Sequence, residues 1–360
     1  VDDFLSLAAQ FLASLSGMLT RRSAIGGIGA AAILSALPFQ ATGQPKRKPP
    51  RLVPGDTVGL IAPAGFVADR FGVETVEETV RAMGLAPKTA PHVLKRNGYL
   101  AGTDAERAAD INAMYADDAV KAVFAIRGGW GCARILPYLD YETIRGNPKL
   151  LVGSSDITAL HLAFAARAGF ATVHGPGVSA SWPDRTWQAF RTIAFEAATP
   201  TYSLPEARED RLVQRLNRTT TFRPGTARGR LLGGNLSVLS ALVGTPYLPD
   251  FSGAILFLED VNEAEYRIDR MLTQLALAGV LGKVSGVVFG ACTNCSNPGP
   301  SYGNFTIYEV LDHHLGALGV PAFQADLFGH IAGNLSLPVG MEAEIDAEAG
   351  SIRMLEPAVG

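Results

Sequence analysis

Short apolar runs alternate with helical patterns along most of this chain, and that alternation constrains the fold more than any other feature. Thr57 to Ala62 reads as a first buried strand. Asp69 to Met83 follows with Val73, Val76 and Val80 at helical spacing. Thr103-Asp-Ala-Glu106 has the form of a capping box opening a second helix. Val120 to Ile126 and Leu150 to Val152 are further strands, the latter followed by a helix that Gly169 stops. Ala171 to His174 is a short fifth strand. Strand and helix in strict succession imply a mostly parallel sheet flanked by helices.

Residues 183–228 lose this periodicity and gain proline, threonine and arginine. The pattern then resumes: a strand at Gly253 to Leu258, a helix at Asn262 to Ala278, and a strand at Val284 to Phe289. A capping box, Thr306-Ile-Tyr-Glu309, opens a helix reaching about Leu318. Met341 to Leu355 reads as a hairpin turning near Ala349-Gly350. The expected architecture is α/β: a mostly parallel N-terminal sheet flanked by helices over 51–185, an inter-domain linker over 186–225, and a mixed α/β C-terminal domain over 226–360.

The first 44 residues read differently. Thr20-Arg21-Arg22-Ser23 precedes the apolar, small-residue run Ala24 to Leu37, with small residues suited to cleavage near Ala41 to Gly43. A basic start, a short apolar run and small residues describe an export signal, and the arginine pair resembles the twin-arginine type. Residues 1–17 are an extension of the segment before the arginine pair or precede the true start, for which Met18 is better placed. Residues 45–50 are a proline-rich linker. The reading is an exported, periplasmic protein; a buried N-terminal helix and a cytoplasmic location are the alternative. The run is too short for a comfortable membrane span, so no stable span is expected after cleavage.

With 360 residues, the chain can bury a sizeable core. A net charge of −3 offers no basic surface for nucleic acid. Three cysteines are too few for a disulfide scaffold. Cys292 and Cys295 form a C-x-x-C followed by Asn297-Pro-Gly-Pro300. That setting lacks the helix of a thioredoxin-like site and the second ligand pair of a zinc site. A structural turn, disulfide-bonded after export, is the default. No metal or organic cofactor is expected.

The strand-end turn Gly153-Ser-Ser-Asp-Ile-Thr158 can carry chemistry. A buried strand would fix position, the turn would expose a hydroxyl, and the following helix would offer N–H groups to an oxyanion. It can equally be an ordinary Ser/Asp cap. A serine nucleophile needs a base, and the base needs an orienting acid. Of the six histidines, His92, His161, His174, His313, His314 and His330, His161 lies in the next helix and His313 and His314 are adjacent in another. His330 sits in a glycine-flanked loop, Phe328 to Asn334, where catalytic groups are often placed. Glu259 and Asp260 end a buried strand, with Glu263 and Glu265 following. All four can be helix-dipole charges, while the two at the strand end can instead be site acids. Trp182 and Trp187 can line a pocket or pack into the core.

Five segments, in order across residues 52–345, together resemble the LD-carboxypeptidases, serine peptidases of bacterial cell-wall recycling. They are Arg127-Gly-Gly-Trp-Gly131, Gly153-Ser-Ser-Asp-Ile-Thr158, Leu232-Gly-Gly-Asn-Leu236, Leu258-Glu-Asp-Val with Tyr266-Arg-Ile-Asp-Arg270, and Gly329-His330 with Asn334 and Leu337-Pro-Val-Gly340. The resemblance implies a Ser–Glu–His triad of Ser155, Glu259 and His330, with Asp260 the residue to test against Glu259. Ser154 stands where relatives usually carry an aromatic residue, which places a second hydroxyl beside the nucleophile. An oxyanion hole would combine the N–H of Asp156 with the Gly128-Gly129 backbone. The implied substrate is a murein tetrapeptide, and the implied reaction is release of its terminal D-alanine. Arg127, Arg230 and Arg267 are candidates for the terminal carboxylate. Microcin-C immunity peptidases, which cleave aminoacyl-nucleotide conjugates, resemble the same family, and Trp182 is the one nearby aromatic face for a base. A murein-peptide binding protein without turnover is the non-enzyme alternative. The partner is a small peptide; a homodimer is compatible with the sequence.

Overall fold

The computed structural model describes residues 48–205, 212–213, 218–296 and 305–360. The expected export signal lies outside the described residues. Among the described residues, no helix is long and apolar enough to cross a membrane.

The first half runs β1 (Thr57–Ile61), α1 (Arg70–Ala82), β2 (Ala86–Thr89), α2 (Asp104–Ala116), β3 (Val120–Ala125), α3 (Cys132–Ile135), α4 (Tyr141–Gly146), β4 (Leu150–Gly153), α5 (Thr158–Arg167) and β5 (Thr172–His174). Strands β1 to β5 pair in parallel in the order β5-β4-β3-β1-β2. Strands buried on both faces read as unbroken apolar runs, and β3 and β4 are buried almost throughout. Helix α1 covers one face with Val73, Val76 and Val80, and the Asp69 carboxylate caps it by accepting the Gly72 N–H at 2.8 Å. Helix α2 begins with the expected capping box between Thr103 and Glu106.

The second half runs α6 (Asp184–Ala194), β6 (Thr201–Tyr202), β7 (Thr220–Arg223), β8 (Thr226–Asn235), α7 (Leu236–Ala241), β9 (Ile255–Val261), α8 (Glu265–Leu277), β10 (Gly286–Thr293), α9 (Ile307–Leu315), β11 (Ala322–Gln324), β12 (Leu337–Val339), β13 (Glu342–Asp346) and β14 (Ser351–Met354). An eight-stranded sheet has the order β6-β14-β13-β8-β9-β10-β11-β7. Strands β8 to β11 are parallel, and the flanking strands are antiparallel. The expected terminal hairpin is β13–β14, with Gly350 at φ +63° in its turn.

Two features differ from the sequence expectation. The stretch read as a linker, 186–225, holds most of α6 and strands β6 and β7. Its helix was masked by prolines and arginines around a buried face of Thr186, Ala189, Phe190 and Ile193. Strand β12 comes from the second half yet pairs antiparallel with β5 on the edge of the first sheet. Both sheets therefore share one compact unit, residues 47–360.

Strand order fixes where a site can form. In the first sheet the order reverses between β1 and β3, and open α/β sheets bind ligands beyond the carboxyl ends of strands at such a point. The loops leaving β1 and β3 carry Gly65 and Arg127–Gly131. In the second sheet the carboxyl ends of β8 and β9 carry Asn235 and Glu259–Val261.

Candidate active site

Ser155 stands just beyond the carboxyl end of β4, with φ at +62°. A non-glycine residue in the left-handed region is costly, and such strain persists where the surroundings over-determine it. Three contacts do so here. Gly153 has no room for a side chain, since a Cβ there would lie 2.9 Å from Ile157. The Gly153 carbonyl accepts from the His161 ring Nε2 at 2.9 Å. The Asp156 carboxylate accepts the Cys132 N–H at 2.8 Å, which ties the serine turn to the start of α3 and hence to the glycine turn after β3. Asp156 is buried, and that burial raises its carboxyl above the usual range. The Ser154 side chain does not cap the turn.

The glycine turn lies against this serine. A Cβ on Gly128 would come within 2.9 Å of the Ser155 Cβ and 3.2 Å of its Oγ, so only glycine allows this approach. Gly129, at φ +132°, packs on the Gly65 backbone, whose N–H donates to the Gly128 carbonyl at 3.3 Å. Among the described residues, no hydrogen bond claims the N–H of Gly128 or Gly129. Behind the turn, the buried Arg107 guanidinium donates to the Gly131 carbonyl at 3.0 Å and to the Pro63 carbonyl.

Glu259 and His330 come together on the second sheet. Glu259, on β9, is fully buried, and its Oε2 accepts from His330 Nδ1 at 2.8 Å. This pair puts the proton on Nδ1 and leaves Nε2 as a lone-pair nitrogen. The Glu259 hydrogen bond is the main cause of a His330 pKa above the ordinary value; burial opposes it, and the charges of Glu259 and Asp260 add to it. Gly329, at φ +124°, packs within van der Waals reach of β9 and β10: a Cβ there would meet Ala291 at 3.2 Å and Glu259 at 3.3 Å. The loop is clamped by Asn334, whose side chain accepts the Gly329 N–H at 3.1 Å, and by the Thr293 hydroxyl on the His330 carbonyl at 3.0 Å.

Asp260 has another task. Its Oδ2 accepts the Ser237 N–H at 3.0 Å and hydroxyl at 2.8 Å, and its Oδ1 accepts from Asn235 and from the Val261 N–H. It anchors the start of α7 rather than the imidazole. The glycines before Asn235 allow close packing on both sides: a Cβ on Gly233 would overlap the Phe257 carbonyl of the neighbouring β9, and one on Gly234 would strike Thr158 at the start of α5. The Asn235 N–H donates to the Thr158 hydroxyl at 2.9 Å.

The candidate carboxylate-binding arginines separate. Arg127 lines a cleft of about 410 Å³ with Gly65, Phe66, Tyr99, Gly129 and Trp130, beside the glycine turn. Arg230 lies five residues before Asn235 on β8, about 16 Å away at strand rise, with its guanidinium on the Asp250 carbonyl at 3.1 Å. The structure does not bring it to the site: the alternation of β8 gave no hint which end of that strand faces Ser155. Arg267 is exposed and pairs with Glu263 at 3.4 Å. Glu263 itself lines a second cleft of about 230 Å³, with Ser155, Asp156, Asn235, Ser237 and Asp260.

Other sequence candidates resolve elsewhere. Cys292 and Cys295 form a disulfide at the end of β10, as the structural reading expected. Trp182 packs edge-on against Phe190 at 5.5 Å, and Trp187 packs against Phe190 and Phe195. His314 bonds Asp269 between α8 and α9, and His92 bonds Asp110. Asn334, Asn235 and Glu263 escaped notice as site residues, although the first two fall inside the singled-out motifs.

A strained serine against a glycine turn, and a buried glutamate holding a histidine, both at strand carboxyl ends of two joined α/β sheets, define a hydrolase-like α/β protein. The chain belongs to the LD-carboxypeptidase family of peptidases: the family's N-terminal domain matches residues 58–175 and its C-terminal domain residues 228–345. A carboxypeptidase, provisionally so named, from Streptomyces coelicolor is 41% identical over 324 residues, covering 87% of this chain and 97% of its own. The murein tetrapeptide carboxypeptidase of Pseudomonas aeruginosa is 30% identical over 303 residues, covering 80% of this chain and 92% of its own. The solved structure of the microcin C7 self-immunity protein MccF superposes with a TM-score of 0.76 at 27% identity, covering 87% of this chain and 99% of that one. A sequence relative of that name comes from Escherichia coli.

Proposed function

We propose that the chain is a serine-type LD-carboxypeptidase that hydrolyses the bond to the terminal D-alanine of murein tetrapeptides. The observation that carries this reading is the His330–Glu259 hydrogen bond at 2.8 Å, with the left-handed Ser155 sharing a cleft with Asp260, the neighbour of Glu259 on β9. In this mechanism the Nε2 of His330 takes the Ser155 proton as Oγ attacks the scissile carbonyl. Glu259 stabilises the imidazolium. The carbonyl oxygen, now an oxyanion, turns toward the N–H groups of the glycine turn and of Asp156. His330 then protonates the departing D-alanine amine, leaving an acyl-enzyme on Ser155. Water, deprotonated by His330, attacks the ester and frees the tripeptide and the serine. In this reading Arg127, in the larger cleft beside the glycine turn, receives the terminal carboxylate.

The test is incubation with a murein tetrapeptide, read by mass spectrometry. Wild type should release D-alanine, and Ser155→Ala should lose about 10⁶ in kcat, as removal of a triad nucleophile does. An inactive wild type refutes the substrate. A fully active Ser155→Ala refutes the nucleophile and points to Ser154. The full-length likeness to MccF supports a second reading, cleavage of an aminoacyl-nucleotide conjugate, since MccF has been solved with aspartyl sulfamoyl adenosine. Hydrolysis of such a conjugate without release of D-alanine from tetrapeptide would establish it. We further propose export through residues 1–44; an unprocessed cytoplasmic protein on fractionation would refute that.

A further inference from the structure

We infer that Glu263 selects a cationic side chain on the residue whose carbonyl is attacked, an inference that rests on the peptidase reading above. Two clefts meet at Gly129 and Trp130, which line both. They carry opposite charge. The larger has one charged wall residue, Arg127. The smaller holds Ser155, and its charged wall residues are Asp156, Asp260 and Glu263, with no basic residue among them.

The three carboxylates are not equivalent. Asp156 is committed to the Cys132 N–H, and Asp260 accepts four hydrogen bonds from Asn235, Ser237 and Val261. Glu263 has only long contacts: the Ser237 hydroxyl at 3.5 Å and Arg267 at 3.4 Å. The Arg267 partner is half exposed in the first turn of α8, four residues on from Glu263, the kind of ion pair that contributes little. The charge left for a ligand in this cleft therefore belongs to Glu263.

The polarity of the two clefts matches the polarity of the proposed substrate. The leaving D-alanine carries a carboxylate, which suits the Arg127 side of the glycine turn. The acyl residue, when it is lysine or diaminopimelate, carries an ammonium at the end of its side chain, which suits the Glu263 side. An acidic acyl side chain would instead face three carboxylates. Glu263 thus separates substrates with a basic third residue from aspartyl- or glutamyl-type conjugates.

The test is calorimetric, in the Ser155→Ala background so that nothing turns over. Three tetrapeptides are compared, with lysine, norleucine or glutamate at the third position. Lysine should bind about tenfold more tightly than norleucine, the scale of one charge-assisted contact, and glutamate most weakly. Adding Glu263→Gln should bring the lysine-to-norleucine ratio near one while norleucine binding persists, which also reports an intact fold. Adding Glu263→Lys should place glutamate ahead of lysine. Equal binding of lysine and norleucine before the second change, or an unaltered order after Glu263→Lys, overturns the inference. D-alanine release by wild type is read separately: failure there defeats the peptidase reading, while the binding ratios still decide the role of Glu263.

Discussion

The two arms of this site are held in place by different means. The nucleophile arm, on the first sheet, is fixed by backbone: Gly128 and Gly153 sit where a Cβ would collide, Gly129 holds a φ of +132° that side chains rarely adopt, and the strained Ser155 lies against Gly128. The base arm, on the second sheet, is fixed by side chains: Glu259 on His330, and Asn334 and Thr293 on the loop that carries it. Steric exclusion makes the first arm intolerant of added atoms. Hydrogen bonding makes the second intolerant of lost charge. Each therefore fails by a different kind of substitution.

With the nucleophile itself left in place, the largest expected effect strikes the base arm. Glu259→Gln keeps the shape of the side chain but removes the charge that fixes the Nδ1 proton. On the scale of a triad acid, kcat should fall by about 10⁴, whereas Asp260→Asn, which loosens α7 rather than the imidazole, should cost far less. The pH profile sharpens the point. The Glu259 hydrogen bond raises the His330 pKa, and a general base must be neutral. Activity therefore falls as pH drops through that raised value, and in Glu259→Gln the acid limb of kcat/KM should move to lower pH. Equal losses for the two variants, or an unmoved limb, would break the assignment of Glu259.

A smaller effect is expected on the nucleophile arm. In Gly128→Ala the new methyl group meets Ser155 Cβ at 2.9 Å, so the glycine turn must retreat from the hydroxyl. Misplacing one oxyanion donor typically costs about 10²–10³ in kcat. The acid limb should stay where it is in wild type, because nothing near His330 has changed. A shift of that limb would show that the two arms are not independent.

These differences also explain what could be read in advance. The glycine turns were legible because steric demand leaves a mark in sequence: only glycine fits, so Arg127-Gly-Gly and Gly153-Ser-Ser-Asp stand out. The strand-and-helix alternation of both halves was legible for the same reason, since burial on two faces forces unbroken apolar runs. Which of Glu259 and Asp260 faces the histidine was left to a resemblance, because adjacent strand residues point to opposite faces and no periodicity names the face. Glu263 read as a helix-start charge, because its place in a cleft depends on α7 and β8 packing beside it. The pairing of β12 with β5 spans more than 160 residues and leaves no local trace. Arg230 looked like its fellow arginines until strand register put it in the middle of β8, five residues short of Asn235.

The smallest prediction concerns how the arms respond to acid. His161 lies buried beneath the serine turn, between the Gly153 carbonyl and the Thr172 hydroxyl, each 2.9 Å away, and burial lowers its pKa to about 4. Unfolded, the ring titrates near the ordinary value of about 6.5. Between those values the unfolded chain binds the proton and the folded chain does not, so stability falls as pH drops, by roughly 3 kcal/mol in all. His330 has the opposite sign. Its raised pKa contributes stability that is full below the unfolded value and is lost as pH rises through the folded one. His161→Gln can keep the bond to the Gly153 carbonyl without titrating. Urea unfolding should then show a lower stability at neutral pH but a shallower decline between about pH 6.5 and about pH 4. Parallel declines in the variant and wild type would mean that the acid sensitivity arises elsewhere, and that the nucleophile arm does not rest on a neutral histidine.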